Sequence, residues 1–101
     1  MRLFTFIVER AGGTYCSQHL GADFDEAAKL FVGHALEIGH LNVASPKKER
    51  LLNDVRDAVA LEGLANAFCA SHLDGDNELW VINIVETVVP EEDSKALGAA
   101  Q

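Results

Sequence analysis

The sequence predicts an α+β domain. Its expected form is a four-stranded antiparallel sheet of order 2-1-4-3, with two helices on one face, in the topology ββααββ. Three observations lead there. Alternating apolar segments joined by turn residues stand at both ends of the chain, at 2–20 and 64–85. The middle carries apolar residues at helical spacing between start and stop signals. The length of 101 residues suits one core. A run of hairpin, helices and hairpin packs as an antiparallel sheet with its helices on one side.

Residues 2–9 read as the first strand, with Phe4, Phe6 and Val8 on one face and Leu3, Thr5, Ile7 and Glu9 on the other. Arg10-Ala11-Gly12-Gly13 is a turn, since paired glycines supply positive φ. Residues 14–20 return as a more polar edge strand, with Tyr15, Ser17 and His19 on one face and Cys16, Gln18 and Leu20 on the other. Asp23 is an N-cap, and Glu26 completes a capping-box pattern. Ala27, Leu30, Phe31, His34, Ala35 and Ile38 form the expected buried stripe, with Gly39 as C-cap. Ser45-Pro46 opens a second helix. It buries Leu51, Leu52, Val55 and Val59, presents charges of both signs to water, and ends at Glu62-Gly63.

Residues 64–73 and 79–85 read as the closing strands, with Asp74-Gly75-Asp76-Asn77 as the turn between them. The first and last strands are the most apolar, so they are expected to be central and adjacent. The domain is expected to span 1–89, with 90–101 as a flexible acidic tail. Both faces of the central strands are apolar, and two helices cover only one. The uncovered face, with Leu3, Ile7, Leu79, Val81, Asn83 and Val85, is therefore expected to meet a second copy or the tail.

Sixteen acidic residues against 8 basic ones give a formal charge of -8. That balance repels nucleic-acid backbone and anionic membrane, and no basic patch with interleaved aromatics stands against it. Residues 3–8 are too few for a membrane span and run into Glu9-Arg10 without a signal-peptide cleavage site. Two cysteines do not make a disulfide framework. The expectation is a bacterial cytoplasmic protein with free thiols.

One self-similarity invites chemistry. Tyr15-Cys16-Ser17-Gln18-His19-Leu20 echoes Phe68-Cys69-Ala70-Ser71-His72-Leu73. Two Cys-x-x-His pairs, Cys16 with His19 and Cys69 with His72, would supply the donor set of a tetrahedral zinc. Residues three apart on a strand face opposite ways, however, so no metal is assigned. Asp74-Gly75-Asp76-Asn77-Glu78 has the carboxylate density of a calcium loop without the spacing of one. Gly12-Gly13 lacks the lysine and hydroxyl of a phosphate loop. His34 and His40, six apart, do not share a helix face.

The segments Gly12-Gly13-Thr14-Tyr15, Asp23 to Ala28, Gly63-Leu64-Ala65-Asn66-Ala67-Phe68-Cys69 and Ile82-Asn83-Ile84-Val85 resemble a family of small uncharacterised bacterial proteins. That resemblance covers most of 2–87 and implies no activity. Residues 3–38, a hairpin followed by a helix opened by Asp23-Phe24-Asp25-Glu26-Ala27-Ala28, are similar to the start of HicB-like antitoxins. Those pair with small basic toxins. The third strand that precedes the helix there is missing here, and the closing hairpin has no counterpart there.

The leading expectation is a non-enzymatic acidic homodimer that acts through protein–protein contact and carries no cofactor. The alternatives are a ligand-binding or catalytic pocket between helices and sheet near Tyr15, His34, Cys69 and Trp80, and zinc binding through the Cys-x-x-His pairs.

Overall fold

The structure is a computed structural model and describes residues 1–37 and 45–87. The elements are β1 (Arg2–Arg10), β2 (Gly13–Gly21), α1 (Phe24–Glu37), α2 (Ser45–Arg56), β3 (Val59–Ala60), β4 (Ala67–Leu73) and β5 (Leu79–Thr87). All strands are antiparallel in one sheet of order β2-β1-β5-β4-β3. The chain is thus α+β, but the expected four-stranded 2-1-4-3 sheet of topology ββααββ is overturned by a fifth strand.

That strand has a local cause. The second helix stops at Arg56 instead of running to Glu62-Gly63. Its end tightens through the Ala58 amide, which donates to the Val55 carbonyl at 3.0 Å. Val59 and Ala60 then pair with Cys69 and Phe68. A two-residue strand has no periodicity, and Val59 stands four residues after Val55, so spacing alone places it in the helix. Its side chain is in fact exposed. The ladder ends where the Leu61 amide donates to Ala67, and Gly63 turns the chain at φ +84°. The third expected strand accordingly begins at Ala67, not Leu64.

The β1–β2 hairpin closes through Ala11 and Gly12, both at positive φ (49° and 81°). That is the geometry of a two-residue turn matched to strand twist. At the same end of the sheet, Asn77 takes the left-handed position (φ 60°) of the three-residue loop between Asp74 and Glu78.

Register puts Phe4, Phe6 and Val8 of β1 beside Ile84 and Ile82 of β5 on one face, with Trp80 continuing the row. These six side chains are buried and share one core with Ala27, Ala28, Phe31, Val32 and Ala35 of α1 and Leu51 and Val55 of α2. The Phe6 and Phe31 rings stack at 4.5 Å. The helix stripe is rotated from the expected one: Ala28 and Val32 are buried, while Leu30 is exposed. Ile38, Gly39, His40 and the tail 90–101 lie outside the described residues.

The opposite face carries Leu3, Ile7, Leu79, Val81, Asn83 and Val85. Leu3 is buried, Leu79 is exposed and the other four are half-buried. Among the described residues, no helix is long and apolar enough to cross a membrane.

The junction of β2 and α1 is tight. Asp23 Oδ1 accepts the Glu26 amide at 2.9 Å, and Glu26 Oε2 accepts the Ala22 amide at 3.3 Å. A Cβ on Gly21 would stand 2.9 Å from both the Ala27 nitrogen and the Asp23 oxygen. Backbone cannot yield as a flexible side chain can. Gly21→Ala is therefore expected to destabilise the fold by about 2 kcal/mol. Urea unfolding checks this, and an unchanged midpoint would contradict it.

Candidate functional site

The cleft with a built apolar wall lies where the start of α1 and the end of α2 meet one end of the sheet. Phe4 and Arg2 alternate onto the helix face of β1, Phe24 opens α1, Arg56 closes α2, Ala58 follows it, and Phe68 stands on β4. Together they enclose about 240 Å³. Phe24 meets Phe4 edge-on at 5.5 Å and Phe68 at a tilt at 6.0 Å. The three rings touch in series through Phe24, with Phe4 fully buried, and the cleft opens beside them.

Both arginines are held in place. Arg2 donates from Nε and Nη2 to the two oxygens of Glu86, at 2.9 and 2.7 Å, and its guanidinium lies 5.3 Å from the Phe4 ring centre. Arg56 donates from Nε to Asp25 Oδ1 at 2.6 Å, with Nη2 3.4 Å from Oδ2. Lys29 Nζ lies 3.2 Å from the same carboxylate. Hydrogen bonds from Arg56 and then Lys29 hold the Asp25 carboxyl below its ordinary range. Arg2 does the same for Glu86.

Of the residues singled out from sequence, Tyr15 and His34 come together. They share a narrow cleft with Val8, Cys16, Ser17, Phe31 and Ala35, and its free space is about 10 Å³, room for at most one water. Cys69 and Trp80 do not line it. Trp80 is fully buried with its ring centre 5.3 Å from that of His72, edge to face, and Cys69 faces the other side of the sheet beside Asn83.

His19 borders this cluster. Its Nε2 lies 3.0 Å from Ser17 Oγ, and its ring centre lies 5.5 Å from that of His34. Burial, reinforced by His34, pushes its pKa down to about 4.

Cys16 and Cys69 are unbridged and face away from His19 and His72, and β1 and β5 separate their strands. Among the described residues, no three His, Cys, Asp or Glu side chains converge as metal ligands. His72 instead joins β4 to α2: its side chain is fully buried, and Nδ1 lies 2.8 Å from Asp54 Oδ2. Its Nε2 has no partner among the described residues.

The calcium-like loop is a turn anchor. Asp74 Oδ2 accepts from Arg10 Nε at 2.6 Å and Trp80 Nε1 at 2.9 Å, while Oδ1 accepts the amides of Asp76 and Glu78 at 2.8 and 3.1 Å. Burial pushes this carboxyl upward. The hydrogen bonds from Trp80, Arg10, Glu78 and Asp76 outweigh it and hold the pKa far below the ordinary range. Both oxygens are thus engaged within the fold.

The comparisons decide no family. The chain matches no protein-family model, no curated protein and no solved structure. The residues of the cleft lie scattered along the sequence. Arg56 falls there on the charged face of the second helix, Phe24 within the start of the first helix, and Phe68 at the head of the Cys-x-x-His echo. Strand parity does carry one signal, since Arg2 shares a face with Phe4 and Phe6.

Proposed function

We propose that this protein is a non-enzymatic binding protein that takes a single planar apolar group in the cleft against Phe24, Phe68 and Ala58, above the buried Phe4. One observation carries this reading: a space of about 240 Å³ with aromatic walls, opening between helices and sheet. Engineered apolar cavities of ~150 Å³ hold benzene, so one substituted ring fits. Larger ligands need pockets of roughly 300 Å³ or more. The arginines are anchored by carboxylates and the neighbouring core is close-packed, so the slot is pre-formed.

A neutral ring tests it. In an amide-detected NMR titration, benzyl alcohol is expected to bind with a Kd of about 1 mM and to shift residues 24, 58 and 68. Ala58→Leu fills the slot and is expected to weaken binding about tenfold. An absence of saturable shifts there, or unaltered binding by the filled variant, would contradict the proposal.

A homodimer through the opposite sheet face is the second reading. It is favoured by the row Ile7, Val81 and Val85, half-buried with Asn83 among them and Leu79 more than half exposed at 55%. A second copy would bury that row. Light scattering is expected to give twice the monomer mass, and Val81→Glu the monomer mass. A monomeric wild type would end this reading.

A further inference from the structure

We propose that the cleft selects an aromatic monocarboxylate, one ring bearing one carboxylate, over a neutral or cationic ring of the same size. This rests on the cleft being a ring-binding site and adds the charge of its ligand.

Among the described residues, the polar side chains that line the cleft are of one kind. Arg2 and Arg56 both line the cleft, and they are two of the chain's four arginines. Each uses the same edge of its guanidinium, Nε and Nη2, to hold a carboxylate of the fold. A guanidinium has five N–H donors in a fixed plane, so among the described residues each retains Nη1 and its two hydrogens beyond that edge. The acceptors are in the opposite condition. Both oxygens of Glu86 face Arg2, and both oxygens of Asp25 face Arg56 or Lys29. The cleft therefore offers donors to an incoming polar group and few uncommitted acceptors.

Net charge alone does not settle the sign. Arg2, Arg56 and Lys29 stand against Glu86, Asp25 and Asp23, whose charge also acts on Arg2. The local sum is zero in a chain of -8. The selectivity comes from geometry. A carboxylate accepts from planar guanidinium N–H groups in short charge-assisted bonds, whereas an ammonium has donors only and would have to compete for engaged oxygens. The ring substituent is thus an acceptor, and an anion is the strongest acceptor of that size.

The test compares benzoate, benzyl alcohol and benzylammonium at about pH 7 by the same NMR titration. Benzoate is expected to bind at least about fivefold more tightly than benzyl alcohol, and benzylammonium more weakly than either. Arg56→Gln and Arg2→Gln are expected to bring the benzoate-to-benzyl alcohol ratio toward one, with a wild-type amide spectrum away from the cleft. If benzyl alcohol binds in the cleft and benzoate no more tightly, the charge selectivity is wrong and the ring site stands. If benzoate is preferred but both glutamine variants keep the ratio, the guanidiniums are not its cause and the proposal fails. If none of the three binds, both the selectivity and the ring site fall.

Discussion

Asp74→Ala is expected to destabilise the fold by about 3–4 kcal/mol. The side chain of Asp74 is only 9% exposed, and its two oxygens meet four donors from three places: the end of β1, the loop itself and β5. Alanine leaves the Trp80 indole N–H and the Arg10 guanidinium without their acceptor in a partly buried site. Asp76 is the control. Its side chain is 85% exposed and 3.6 Å from Arg10, so Asp76→Ala is expected to change stability by less than about 0.5 kcal/mol. Urea denaturation of both variants separates an anchoring carboxylate from a merely acidic loop, and equal effects would contradict the account. The pH dependence follows the same bonds. A carboxyl whose folded pKa is depressed contributes fully above its unfolded value, near 4, and the contribution is lost as pH falls through the folded value.

Stability is expected to fall by about 2–3 kcal/mol between pH 6.5 and pH 4 on account of His19. Its pKa drops from 6.5 to about 4 because the imidazole is enclosed between β2 and α1, facing Phe6, Phe31, Ser17 and His34. The unfolded chain binds the proton first as pH falls, so the neutral folded form loses ground across that window. His19→Leu keeps an apolar body there and is expected to remove most of the difference between midpoints measured at pH 4.5 and pH 7. A variant with the wild-type slope would assign the acid sensitivity to other groups.

Much of the fold is legible in the residues because local rules and packing agree. Gly12-Gly13 marks one hairpin and Asp74 to Asn77 the other, and period-two alternation sorts Phe4, Phe6 and Val8 from Leu3 and Ile7. Asp23 and Glu26 announce the start of α1; Asp23 makes the bond expected of an N-cap, while Glu26 reaches back to the Ala22 amide, one residue before the cap. The fifth strand escapes because Val59 and Ala60 have no pattern of their own; only the opposing residues Cys69 and Phe68 define them. The rotated stripe of α1 has a similar cause. Ala28, Leu30 and Val32 are all apolar, and only the position of the sheet decides which turn inward.

The cleft is the least legible part, for a topological reason. Its walls come from the beginnings or ends of elements far apart in sequence: Arg2 and Phe4, Phe24, Arg56 and Ala58, and Phe68. No spacing rule connects them. The partners of the arginines are equally remote, with Arg2 reaching Glu86 across 84 positions and Arg56 reaching Asp25 across 31. The Cys-x-x-His echo is plain in the sequence, yet strand alternation sends each cysteine and its histidine to opposite faces.

The most direct test of the ring site is a set of intermolecular NOEs from bound benzyl alcohol. The aromatic protons of the ligand are expected to show NOEs to the rings of Phe24 and Phe68 and to the Ala58 methyl. NOEs to the methyls of Ile7, Val81 and Val85 on the opposite sheet face, with none to the cleft, would contradict it.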